Sequence, residues 1–175
     1  GGDVFSLAEL YHCVIRGNMS KPVSPKNPYL DVPKKSASYN FYALTYTDAR
    51  INFMLSTGDV TCPQQVPVLR PASLESQLQV ASSIFVKRQL SVNHQKRTIT
   101  LPKVCEIYRN DCGDGGDSSF NNACLLFCVN LLGTEERVKI TTFTVGESPY
   151  AIKFAPCAEQ YHQLLSPLRL NQHGE

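Results

Sequence analysis

No run of apolar residues in this chain approaches the ~18 needed to cross a bilayer as a helix, which sets aside a membrane-spanning protein. The N-terminus lacks the basic-then-apolar pattern of a secretory leader. No block of like charge is present either: 17 basic and 15 acidic residues are dispersed along the sequence and leave a formal charge of +2. Such a chain has nothing to track phosphates with, so nucleic acid is not the expected partner. The glycines fit neither the dinucleotide fingerprint nor the phosphate loop, and no cofactor is expected. Cys112-Gly113-Asp114-Gly115-Gly116-Asp117 has carboxylates but not the regular oxygen ligands and closing Glu of a calcium loop, and reads as a turn. The chain opens on Gly1-Gly2 with no initiator Met, which reads as a piece of a longer protein.

What is present is the composition of a folded globular protein. Hydrophobic residues make up 42% and charged residues 18% of 175 residues, enough for one domain with a real core. A single domain over 1–165 followed by a tail at 166–175 is the expected organisation. Seven cysteines are an odd number, and several fall on apolar helical faces. Reduced thiols packed as small hydrophobes fit this better than a disulfide framework, and point to the cytoplasm. Cys105, Cys112, Cys124 and Cys128 contain no Cys-x-x-Cys pair, so zinc held by some of them is a secondary alternative to buried thiols, and no metal site is assigned.

The first element carries complete start signals. Ser6 with Glu9 three residues later makes a capping box, and Phe5 and Leu10 stand at the positions of a hydrophobic staple. A helix is predicted from Leu7 to Arg16, with Leu7, Leu10, Tyr11 and Val14 as its apolar face. Four prolines and four lysines make Ser20 to Ser38 a surface loop. Tyr39 to Tyr46 and Arg50 to Leu55 read as short extended segments. A helix capped by Ser73 should bury Leu74, Leu78, Ala81, Phe85 and Ile84 and end before Ser91. Asn93 to Lys96 reads as a turn, Arg97 to Thr100 as a returning strand, and Thr100 as the cap of a helix bearing Leu101, Val104, Cys105 and Tyr108. Phe120 to Leu132, apolar almost all round, predicts a buried helix. A hairpin is expected from Val138 to Val145 and Tyr150 to Phe154, then a short helix from Ala158 to Leu165. The fold class is α+β: several helices packed around a small mixed or antiparallel sheet built from 39–55, 97–100 and 138–154.

Three segments, in this order, resemble the family called domain of unknown function 547. Ser6 to Asn18, SLAELYHCVIRGN, is similar to its SLDDIEHGILRGN helix. Ala49 to Pro63, ARINFMLSTGDVTCP, resembles its DPRIHFAL followed by paired cysteines before proline. Leu101 to Asp111, LPKVCEIYRND, is similar to its LSKIFKWYRxD. The resemblance runs from about Gly1 to Gly113, without the family's upstream WINxYN or its closing YDWSLN. It implies a module of an intracellular regulatory protein, alongside glutaredoxin-like, DEP or leucine-zipper regions, or only the C-terminal part of the family's domain.

The sharpest chemistry in these segments is a thiol nucleophile. Cys62 follows a turn and precedes Pro63, and His12 stands where the family pattern also has His, with Glu9 or Asp59 available to orient it. That pair implies a cysteine-dependent acyl hydrolase or transferase of the papain or transglutaminase type. Two departures oppose it: Asn52 replaces the family's His and Thr57 its first Cys, and neither takes up a proton near neutral pH. Arg16 and Arg50 are expected to bond carboxylates or carbonyls as structural groups. The favoured reading is a non-enzymatic regulatory or interaction module that holds a protein partner.

Overall fold

A computed structural model describes residues 4–17, 19–23, 37–55, 63, 67–113, 120–145 and 148–156. The architecture is α+β, with helices packed on a three-stranded mixed sheet. The first helix, α1, begins as an α-helix over Leu7–Glu9 and continues as a π-helix over Leu10–Ile15. Helices follow at Ala37–Tyr42 (α2), Leu74–Gln89 (α3), Lys103–Ile107 (α4), Phe120–Asn130 (α5) and Thr134–Thr142 (α6). Short 3-10 turns occupy Ala49–Phe53, Pro71–Ser73 and Arg109–Asp111.

The strands are β1, Ser91–Asn93; β2, Thr98–Leu101; and β3, Ala151–Phe154. β1 and β2 form an antiparallel hairpin with Val92 opposite Ile99. Its turn is set by Asn93, whose side-chain oxygen accepts the Lys96 N–H at 2.8 Å, and by Arg97 at φ 47°. β3 lies parallel to β2 on the other side, with Ile99 opposite Ile152 and Leu101 opposite Phe154. β2 is thus the central strand, and its alternation puts Ile99 and Leu101 wholly in the core. Val86, Val104, Cys105, Cys124, Cys128 and Val129 close around them. Each such aliphatic side chain contributes about 1.5–3 kcal/mol by leaving water.

Four expected elements take another form. Tyr39 to Tyr46 is not extended, because Tyr39 and Tyr42, one helical turn apart in α2, both pack on Phe5, at ring distances of 5.7 and 5.4 Å. Arg50 to Leu55 is not a strand either. Asn52 and Phe53, neighbours that a strand would send to opposite faces, are both buried in the 3-10 turn, which Asp48 caps by accepting the Arg50 N–H at 2.9 Å. Val138 to Val145 belongs mostly to α6: Gly133 begins it, Lys139 pairs with Glu135 at 2.6 Å, and Thr141 and Thr142 turn their hydroxyls back to the carbonyls of Arg137 and Lys139. Thr100 does not cap α4; it is in β2, and Pro102 stands at the cap.

Two buried faces also differ. α3 buries Leu78, Ser82, Phe85 and Val86, while Leu74 and Ile84 face outward. The cause is the 3-10 turn against which it packs: Phe85 meets Phe53 at 5.3 Å, and Ser82 donates to the Arg50 carbonyl at 3.4 Å. α5 forms as expected but leaves Leu126 exposed. The face Leu101, Val104, Cys105 and Tyr108 is buried as predicted. Most of the Ser20 to Ser38 loop, the 158–165 helix and the tail lie outside the described residues.

Candidate functional site

The capping box forms as the sequence indicates. Ser6 Oγ accepts the Glu9 N–H at 3.2 Å, and Glu9 accepts the Ser6 N–H at 2.7 Å. Tyr39 also donates its hydroxyl to Glu9, and this bond, first, with the Ser6 bonds, lowers the Glu9 carboxyl below its ordinary range. Glu9 is thus committed to joining α1 to α2.

Beyond Glu9 the winding loosens. Arg16 N–H bonds the Tyr11 carbonyl at 2.9 Å, five residues back, and the extra residue per turn rotates the helix face. Leu7 and Leu10, expected in the core, are exposed, and Tyr11, His12, Cys13 and Arg16 are buried instead. His12 packs its ring on Tyr11 at 4.6 Å. Burial, helped by the charge of Arg16, lowers its pKa to about 4, so its imidazole is neutral at neutral pH.

Arg16 is the centre of a buried polar cluster. Its Nη1 pairs with Asp111 Oδ2 at 2.6 Å and also donates to Asn52 Oδ1, while Nη2 donates to the Ser20 carbonyl at 2.8 Å. Asn52 Nδ2 donates to the same Asp111 oxygen at 2.9 Å, and the guanidinium lies 4.0 Å over the Tyr108 ring. The side chains of Arg16 and Asp111 are only 2% and 4% exposed, so this is an ion pair shielded from water. Each of the three segments quoted above supplies a member: Arg16 from α1, Asn52 from the 3-10 turn, Asp111 from the turn after α4. The family's His position thus carries, as Asn52, an amide that accepts from one charged partner and donates to the other.

Arg50, the second arginine expected to be structural, bonds Asp48 at 2.6 Å and Glu75 at 2.7 Å. Glu75, then Asp48, raise the Arg50 pKa, and Arg50 lowers that of Glu75. Burial favours a neutral Asp48, but the bonds and charge of Arg50 outweigh it and lower the carboxyl. Asp48 and Glu75 also edge a largely apolar cavity of about 750 Å³, walled by Ile15, Leu44, Ile51, Met54, Leu69 and Leu78. Leu44, Leu69, Leu74 and the 89% exposed Tyr46 line it and reach solvent. Sequence reading missed this cavity, since the segment ending at Tyr46 and the 3-10 turn, which both line it, looked like strands.

Cys62, Thr57 and Asp59 lie outside the described residues. Cys13 is buried, Cys105, Cys124 and Cys128 are buried free thiols, and Cys112 is free and half-buried. Among the described residues, no group of three or more His, Cys, Asp or Glu side chains is arranged to hold a metal ion. No described helix is long and apolar enough to cross a membrane.

These features define an α+β protein organised by a buried Arg–Asn–Asp cluster. Residues 1–86, just under half of the chain, match the family described as "Protein of unknown function, DUF547", and over this stretch the chain is similar to that family. The match ends before the third quoted segment, whose Asp111 nonetheless completes the cluster. No curated protein and no solved structure matches the chain significantly.

Proposed function

We propose that residues 1–165 form a single protein-interaction module within a larger cytoplasmic regulatory protein, and that it binds an apolar segment of a protein partner. The apolar cavity carries this reading. Its volume and lining suit a few hydrophobic side chains, and Leu44, Tyr46, Leu69 and Leu74 expose apolar surface at its mouth. Asp48 and Glu75 at its edge favour a segment whose apolar residues are flanked by Lys or Arg. Absence of catalysis is the companion claim, supported by the occupation of the family's His position by Asn52, locked between Arg16 and Asp111.

The test compares partners co-purified by the native protein and by a Leu44→Asp, Leu69→Asp variant of equal thermal stability. A partner lost with the variant, whose isolated apolar-basic peptide binds the native chain and is competed by excess peptide, supports the module. If no partner is sensitive to the cavity, the reading fails. Acyl-transfer chemistry would instead require Cys62 to be alkylated by iodoacetamide at pH 6 ahead of buried thiols, with the advantage abolished by His12→Gln.

A further inference from the structure

Four cysteines gather where α4, the turn after it and α5 meet. Cys105 and Cys128 place their sulfurs 3.5 Å apart, and Cys124 Sγ lies 3.5 Å from the Cys105 carbonyl oxygen. Cys112 stands beside Cys105, the two residues lining one small void. Cys112 differs from the other three in being only half-buried, so a small solute reaches it first. A cavity of about 10 Å³, lined by Cys105, Cys112, Val104, Asp111 and Phe127, adjoins the pair. Gly113, next along the chain, has φ +130° with open space where a side chain would stand. The void and the adjacent glycine leave the Cys112 segment room to shift and bring its sulfur to the ~2.05 Å of a bond with that of Cys105.

We propose that Cys112 is a peroxide-sensitive thiol and that Cys105 resolves it into a Cys105–Cys112 disulfide. The Cys112 thiolate attacks one peroxide oxygen: an S–O bond forms, the O–O bond breaks and hydroxide leaves. Cys105 then surrenders its proton and attacks the Cys112 sulfur; the S–S bond forms as the S–O bond breaks, and the departing hydroxide leaves with that proton as water. The first hydroxide takes up the proton Cys112 had released. One peroxide is reduced to two waters and two thiols lose two electrons between them. The hydrogen bonds of Cys105 and Cys124 lower the Cys112 pKa to about 5, against burial and the charge of Asp111, so the attacking form is populated at neutral pH. Their own pKa values rise, which leaves Cys105 protonated until a sulfenic acid is in reach. Cys112 directly follows Asp111, so the bond forms beside the carboxylate that holds Arg16 and Asn52.

Reduced, intact protein treated with a small molar excess of hydrogen peroxide, then alkylated and digested with trypsin without reductant, tests this. Val104–Arg109 should appear linked to Asn110–Arg137, with fragment ions placing the bond on Cys112 rather than Cys124 or Cys128. Cys112→Ser should abolish the link. In Cys105→Ala protein, dimedone should trap the sulfenic acid at Cys112. Without peroxide, iodoacetamide at pH 6 should modify Cys112 at least ~10-fold faster than Cys105, Cys124 and Cys128. A bond mapped in the native chain to Cys124 or Cys128, no reaction at Cys112, or a stoichiometric zinc ion released by Cys112→Ser would each overturn the proposal. The native-chain mapping stands even if a variant misfolds.

Discussion

Asn52 decides most at the scale of single residues, because it bridges an ion pair that water does not reach. Removing the carboxylate of Asp111 leaves the Arg16 guanidinium buried without its counter-charge, and Asp111→Ala should cost about 3–5 kcal/mol of stability in urea unfolding. Asn52→Leu keeps the ion pair but removes one acceptor and one donor, at about 2–4 kcal/mol. Asn52→His is the informative contrast. A neutral imidazole also offers one acceptor and one donor, and the small cavity beside Asn52 helps admit the ring, so its cost should be below about 1.5 kcal/mol. A loss as large as that of Asn52→Leu would show that shape, not hydrogen bonding, governs this position.

His12 supplies a pH signature. Its folded pKa of about 4 lies below the ordinary value of 6.5, so between these values the unfolded chain binds a proton that the folded chain refuses. Stability is full above about pH 6.5 and falls as pH drops toward 4, by on the order of 3 kcal/mol from this group. Urea midpoints from pH 7 to 4 should therefore fall more steeply for the native chain than for His12→Gln, which has no proton to take up. Parallel curves would mean that His12 charges without penalty.

The first helix shows best, at the scale of elements, how local and tertiary demands combine. Its capping box starts an α-helix, but the π-helical winding after Glu9 brings His12, Cys13 and Arg16 inward. Gly17 ends this turn where α2 approaches: a Cβ there would stand 2.5 Å from the Cys13 carbonyl oxygen and 2.7 Å from the Ala43 Cβ. Neither can move without shifting backbone, so Gly17→Ala should destabilise the protein by about 1–3 kcal/mol, read as a lowered thermal midpoint. Ser6→Ala, which removes only the cap hydroxyl, should cost about 1 kcal/mol.

At the scale of the whole molecule, the family match stops where the packing does not. The segment 1–86 sends Arg16 to Asp111, Phe53 to Phe127 at 5.7 Å and Val23 N–H to the Ile107 carbonyl at 2.7 Å, all partners beyond the match. Ile99 and Leu101, at the core's centre, are also beyond it. A fragment ending at Val86 should therefore lack a cooperative unfolding transition, whereas the full chain should show one. Cooperative melting of the fragment alone would make the matched segment an independent domain.

Capping residues, period and turn chemistry by themselves determined the start of α1, the existence of α3, α5 and β3, the apolar face of α4, and the three segments that resemble the family. These signals act within a few residues, so a single sequence displays them. Only the tertiary structure decided that Tyr39 and Tyr42 share a helix under Phe5, and that Asn52 and Phe53 are buried together. Each depends on a partner elsewhere in the chain. The cluster shows the same division: Arg16, Asn52 and Asp111 were visible within their segments, but 36 residues separate the first two and 59 the second from the third. Their shared removal from water is a property of the packed fold alone.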